Sequence, residues 1–402
     1  MDWASGSWAG SAGTGPEASV ILCADWAPIR AFAEPLAADP EAAYGDLLPV
    51  LRRADLRIVN LECPLSSGGQ PACKSGSVFK GLPVHVRGLT AVPFQVATLG
   101  NNHVFDYGLE AFRETRELLG AHGIRTLGAG LDAAEAWAPL LLEVAGVRIA
   151  LLNFCEGEDL TAAGAGPGVA GWEVDRMVRL VREARAAADA VIVIAHCGLE
   201  YIPFPPPYVA EAFRRVAEAG ADLVVGHHPH VPQGVEIHRG VPICYSMGNF
   251  LFHQETALVY RKLGYLVRAA VTRRGLARLE LVPYALGTGT LRLLAADERA
   301  WFLGRLREVS APLADGVDAA WAGFLQHCGV QGFRQEVERI LETMAGDPGK
   351  GAAMFRNRLT TAQHRHHWVD LLSRMMAGSL EDAPPWARAL AAEWLTATRG
   401  GP

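Results

Sequence analysis

No apolar run in this 402-residue chain reaches the ~18 residues that a membrane-spanning helix requires. The start, MDWASGSWAGSAGTGPEAS, has no basic segment and no apolar segment behind it. It reads as a flexible Gly/Ser/Ala leader over residues 1–18 and not as a secretion signal. A basic excess is also missing. With a net charge of −6, the chain is not built for nucleic acid as its main partner, because binding phosphates needs a basic face. Its seven cysteines, at 23, 63, 73, 155, 197, 244 and 328, form no CxxC pair and cannot all pair internally. They read as reduced thiols, and the chain as soluble and cytoplasmic, with no membrane anchor. There is no internal repeat.

Apolar residues, by contrast, are plentiful. They make up 50% of the chain against 20% charged, enough for a sizeable core in one large α/β domain with a smaller unit, or in two domains. VILCAD predicts a buried strand ending in Asp25, followed by a helical stretch, AYGDLLPVLRRAD, and a second strand, LRIVNLECPL. FQVATLGNNHVFDYG reads as strand, turn and the start of a helix that stops at Gly123. Two strands joined at Gly146 follow. Helix–strand pairs then lead into ADAVIVIAHCG and ADLVVGHHPH. Uninterrupted Val/Ile runs between helices predict a sheet covered by helices. Two hairpins are expected next, turning at Arg239–Gly240 and Arg274–Gly275. Strand signals stop near residue 296, which predicts a domain over 19–295 and a helical extension over 296–402.

The polar residues of interest end the apolar strands: Asp25, Glu62, Asn101, Asn102, His103, His196, His227, His228 and His230. Open α/β sheets place ligands at the carboxyl ends of their strands. Imidazole and carboxylate donors bind divalent metals, and two neighbouring ions need a bridging carboxylate. A lone Asp at a strand end is more often a helix cap, GNNH alone could be a turn, and His196 alone a core residue. Three histidines within four residues are harder to explain structurally, and the ordered set is stronger than any member.

The order Asp25, NLECPL, TLGNNHVFDYG, VIVIAHCGLEY and GADLVVGHHPHVPQGVEIHRGVPICYSMGNFLF resembles the CapA family over roughly residues 19–285. These poly-gamma-glutamate capsule biosynthesis (PgsA-type) proteins belong to the calcineurin-like metallophosphoesterases. The resemblance implies a four-layer α/β/β/α sandwich with a dinuclear metal site on one rim. One or two divalent ions are expected there, and mixed N/O ligation suits Mn, Zn or Fe. The resemblance also implies Asp25, Glu62, Asn102, His196, His228 and His230 as metal ligands, with Glu62 in the bridging place. His103 becomes the acid facing substrate, Asp106 the carboxylate that orients it, and His227 a supporting residue or substitute ligand. One departure matters. The superfamily's Asp-x-His reads Asp25-Trp26-Ala27 here, so one metal lacks a ligand.

Around this set, Glu200 and Tyr201 are expected to shape the mouth of the site. Asn101 and Asn249 support it or touch substrate, while Ser246, Gly248 and Asn249 serve equally well as a structural turn. Lys74, Lys80 and Arg87 are the candidates for an anionic substrate, weighed against a solvated loop. Cys63 and Cys197 read as packing residues. His364 and His367 read as a polar helix face and not as a third metal site. The expected function is a metal-dependent enzyme acting on an anionic small metabolite by amide or glutamyl chemistry. The alternatives are a phosphoesterase or a non-catalytic accessory subunit, and a homo-oligomer or biosynthetic complex is the expected assembly.

Overall fold

The computed structural model describes residues 1–10 and 16–398. Two sheets face each other, each with parallel strands at its centre. The first runs in the order Ser7–Ala9, Gly275–Leu286, Leu263–Thr272, Glu17–Trp26, Leu56–Leu61, Val96–Thr98 and Arg125–Leu127, with Leu291–Leu293 added on Gly275–Leu286. The second runs Val235–His238, Val241–Cys244, Leu223–His227, Ala190–His196, Val147–Cys155 and Leu140–Val144.

Period-two alternation in the Val/Ile runs builds the layers. Ile149, Leu151, Ile192, Ile194, Leu223 and Val225 share one core with Val20, Leu22, Ile58 and Val267 of the first sheet. Their neighbours Ala150, Leu152, Val191, Val193 and Val224 face away. They pack on Val181, Val209, Phe213 and Val216 from the helices Val174–Ala187 and Pro207–Glu218. Leu89, Phe112 and Leu119 bring the helices Val86–Ala91 and Gly108–Ala121 onto the first sheet. The result is a four-layer α/β/β/α sandwich.

Several local expectations need correction. Ser7–Ala9, placed in a flexible leader, pairs antiparallel with Arg278–Glu280; three residues are too few to signal a strand, and an edge partner supplies the order. The rest of that leader includes residues 11–15, which lie outside the described residues. AYGDLLPVLRRAD is not one helix. It breaks into Pro40–Tyr44, Gly45–Leu47 and Leu48–Arg52. Gly45 takes φ +49, and any Cβ there would run into the Leu291 carbonyl. The last hairpin turns at Arg273–Arg274, one residue early, because Gly275 already pairs with Thr272. The turns at Ala145–Gly146 and Arg239–Gly240 have positive φ at both residues, the geometry that two-residue hairpins favour.

Helices Ala296–Ser310, Val317–Gly346, Pro348–Thr360, Ala362–Ala377 and Pro385–Thr396 complete the chain, and residues 399–402 of the expected extension lie outside the described residues. These helices do not stand apart from the sheets. Leu199 and Ile202, from the loop after His196, are buried among Trp321, Phe324, Leu325 and Leu371.

Candidate metal centre

Parallel strands end on the same side of a sheet, and the two sheets bring those ends to one rim. Asp25 is the penultimate residue of Glu17–Trp26, and Glu62 follows Leu56–Leu61 directly. His196 and His227 each end their strand and sit side by side in register. Asn102 and His103 occupy the turn between Val96–Thr98 and the helix from Gly108. His228 and His230, with φ +96 and +55, hold left-handed backbone in the loop beyond. Such conformations cost about 1–3 kcal/mol each and persist where the surroundings enforce them. Here Asn249 Nδ2 donates to the His230 carbonyl at 3.1 Å.

The donors converge in two sets. Around His196 Nε2 lie Asn102 Oδ1 at 3.0 Å, His228 Nδ1 at 3.1 Å and Glu62 Oε1 at 3.5 Å. His230 lies between carboxylates, Nδ1 being 3.4 Å from Asp25 Oδ2 and Nε2 3.6 Å from Glu62 Oε1. All six side chains are buried. Metal bonds of about 2.0–2.2 Å in tetrahedral array separate ligand atoms by about 3.4 Å, close to these spacings. Two triads, Asp25–Glu62–His196 and Glu62–His228–His230, each offer donor atoms within 4.8 Å of one another, and Glu62 belongs to both.

Electrostatics point the same way. Neither Glu62 oxygen has a hydrogen-bond partner, although the side chain is fully buried. Burial, reinforced by the nearby Asp25 charge, pushes its carboxyl well above the usual range. A cation beside it would reverse both penalties. Burial also pushes Asp25 up, but His227 and His230 outweigh it and hold that carboxyl well below its usual value. Burial and the neighbouring His228 keep His196 neutral, the state in which imidazole binds metal. The donors therefore fit one or two divalent ions.

At the position of the missing histidine, Ala27 is buried and its N–H donates to the Leu251 carbonyl at 2.8 Å. His227 lies nearest to the gap in chemistry. Its buried Nδ1 is 3.2 Å from Asp25 Oδ1 and has no hydrogen-bond partner.

His103 stands at the edge of the donors, lining a cavity of about 480 Å³. Asp106 Oδ2 accepts from its Nδ1 at 2.6 Å, which leaves Nε2 for the cavity. Asp106 also accepts from Lys74 Nζ at 2.9 Å and the Phe79 N–H at 2.7 Å. Lys74 therefore lies in the site, but as a buried counter-ion. Lys80 and Arg87 do not reach it; they donate to the carbonyls of Gly68 and Ala37. Other cations line the cavity instead: Arg30, Arg261, Arg339 and Arg358. Arg261 is stacked on Tyr201 at 3.5 Å, and Arg358 is paired with Glu336.

Glu200 and Tyr201 line the same cavity. Asn249 orients His230, with Oδ1 2.8 Å from its Nδ1. Asn101 ties down the turn, donating to the Leu61 carbonyl at 2.8 Å and accepting from the His103 N–H at 3.1 Å. Ser246 Oγ donates to the Val231 carbonyl at 2.7 Å, which makes it a turn residue. Cys63 and Cys197 are buried, and burial raises both thiols.

Sequence reasoning missed Glu158, Asn357 and Gln363. Glu158 Oε2 accepts from Asn102 Nδ2 at 2.7 Å, and its Oε1 accepts from Asn357 Nδ2 at 2.8 Å. The signal for Glu158 was present: it lies just beyond the end of the parallel strand Val147–Cys155. His364 contacts that same carboxylate at 3.3 Å, so its helix face is turned to the site and not to solvent.

The fold and this rim define an α/β sandwich protein with a buried Asp/Glu/His cluster that could hold a metal ion. The chain belongs to the family described as bacterial capsule synthesis protein PGA_cap, whose sequence model matches residues 19–254. It is 33% identical over 201 residues to the PGA biosynthesis protein CapA of Bacillus subtilis, covering 49% of this chain and 52% of that one. A protein of Mycobacterium tuberculosis called a probable polyglutamine synthesis accessory protein is 26% identical over 299 residues, covering 69% and 78%. The chain spans about half the length of the Bacillus relatives it matches. Among solved structures, a 5'-nucleotidase precursor from Thermus thermophilus aligns with 75% of this chain and 59% of its own, at 15% identity and TM-score 0.43. No helix among the described residues is long and apolar enough to cross a membrane.

Proposed function

We propose that this chain is a metal-dependent biosynthetic enzyme acting on a carboxylate- or phosphate-bearing small metabolite. The chemistry is formation, transfer or hydrolysis of an amide or glutamyl linkage. The observation that carries this reading is His103, which is not needed to hold a metal. Asp106 holds its Nδ1 proton and leaves Nε2 on the cavity beside the donors. That is the placement of a general acid.

Asp25, Glu62, Asn102, His196, His228 and His230 would hold the metal. A bound ion there supplies Lewis-acid polarisation of a substrate oxygen and of water. His103 Nε2 gives a proton to the leaving group. Arg261 and Arg30 attract the anionic end of the substrate, each held over an aromatic ring, Tyr201 and Phe79. Phe79 and Phe252, whose rings lie 5.5 Å apart between His103 and His230, keep bulk water from that end of the site.

His103→Gln should keep its metal by elemental analysis. It should lose about 100- to 10,000-fold in turnover on whichever amide or phosphate ester the wild type accepts. Unchanged turnover would remove the catalytic role. The second reading is a non-catalytic accessory subunit. The name of the mycobacterial relative and the absent Asp-x-His histidine favour it. A wild type that binds metal but turns over neither class of substrate supports this second reading.

A further inference from the structure

The helix Ala362–Ala377, far along the chain from every strand of the site, sets Gln363 against the donors. Its Oε1 lies 2.9 Å from His228 Nε2, and its Nε2 donates to Glu158 Oε1 at 3.3 Å. An amide with its nitrogen on a carboxylate must offer its oxygen to the histidine. Glu158 also accepts from Asn102 Nδ2, which turns Asn102 Oδ1 toward His196. One carboxylate therefore orients two amides, and each amide faces a histidine of the centre. Gln363, His228 and Glu158 are all buried, so bulk water does not compete for these bonds.

We propose that Gln363 is a positioning residue of the metal centre, resting on the metal-centre reading above. A neutral imidazole carries one proton, and the acceptor it meets decides which nitrogen holds it. Gln363 Oε1 takes that proton's hydrogen bond at Nε2. His228 Nδ1, which faces His196 Nε2 at 3.1 Å, then keeps its lone pair for the ion. The same bond fixes the ring plane and raises the basicity of Nδ1. The C-terminal helices thus complete the metal site as well as packing on it.

The test is titration of Co²⁺ into the metal-free full chain, reading affinity by calorimetry and coordination by the visible absorption bands. Gln363→Met and Gln363→Leu both remove the acceptor, Met with nearly the same shape. Arg365→Ala, exposed on the same helix, is the control. Thermal melting of the metal-free proteins reports the fold. Folded Gln363→Met should bind Co²⁺ about 10- to 100-fold more weakly, with altered bands, while Arg365→Ala matches wild type. A folded Met or Leu variant that matches wild type in affinity and bands overturns the proposal. Loss of the fold in both variants overturns it in favour of a purely structural role. A wild type that takes up no Co²⁺ overturns the metal-centre reading itself.

Discussion

His103 and Asp106 are bonded Nδ1 to Oδ2 at 2.6 Å, and the buried Lys74 ammonium closes the other side of the same carboxylate at 2.9 Å. The chain invests a buried ion pair in the orientation of one imidazole. Asp106→Asn removes the charge that fixes the His103 tautomer and leaves Lys74 with only the more distant Glu158 and Asp159 carboxylates. Turnover should fall about 100- to 10,000-fold with metal content unchanged. Stability to urea should drop by about 3–5 kcal/mol, the usual consequence of stranding one partner of a buried pair. Adding Lys74→Met should restore part of the stability and none of the turnover. Restoration of turnover would show that the pair serves only the fold.

His227 is the candidate substitute for the missing histidine on the Asp25 side. Its unpaired Nδ1 lies beside Asp25, while Ala27 contributes only a backbone hydrogen bond. With Ala27 where a ligand is missing, the Asp25 side should bind the weaker of two ions, and His227→Ala should abolish that weaker phase in calorimetric titration of metal-free protein with Mn²⁺ while the tighter phase remains. Loss of both phases together would make His227 a structural support for the whole rim.

The gathering of donor side chains at the strand ends was legible in the sequence because strand ends are short-range features. Apolar runs locate Asp25, Glu62, His196 and His227, and parallel strands must finish on one side. The orienting groups were less legible because their partners lie far away in sequence. Glu158 meets Asn357 and Gln363 about two hundred positions on, and no local pattern announces such a contact. The cavity arginines were missed for the same reason. Arg339 and Arg358 come from helices whose position against the sheets only tertiary packing decides. Lys80 and Arg87 misled in the opposite sense: being cationic and near NLECP in sequence does not bring them into the cavity.

Glu156 provides a test by pH. Burial, partly offset by hydrogen bonds from Tyr208 and the Gly198 N–H, pushes its carboxyl up to about 8. The folded protein therefore favours the protonated acid more than the unfolded chain does. The stability this contributes is fully present below the unfolded pKa and is lost as pH rises through about 8. Between pH 5 and 8.5, metal-free wild type should lose about 2–4 kcal/mol relative to Glu156→Gln in urea denaturation. Parallel pH curves for the two proteins would show that Glu156 is ionised in the fold.

Metal content tests the proposed metal centre without any assumption about substrate. Elemental analysis should be run on wild type purified without chelator, beside Glu62→Ala, His228→Ala and the exposed controls His122→Ala and His327→Ala. At least one divalent transition-metal ion per chain is expected in wild type and in both controls. Metal should be lost in His228→Ala and most of all in Glu62→Ala, whose carboxylate belongs to both donor sets. A wild type that is metal-free as purified and takes up no Mn²⁺, Zn²⁺ or Fe²⁺ on titration would contradict the proposed metal centre, as would equal metal content in all five proteins.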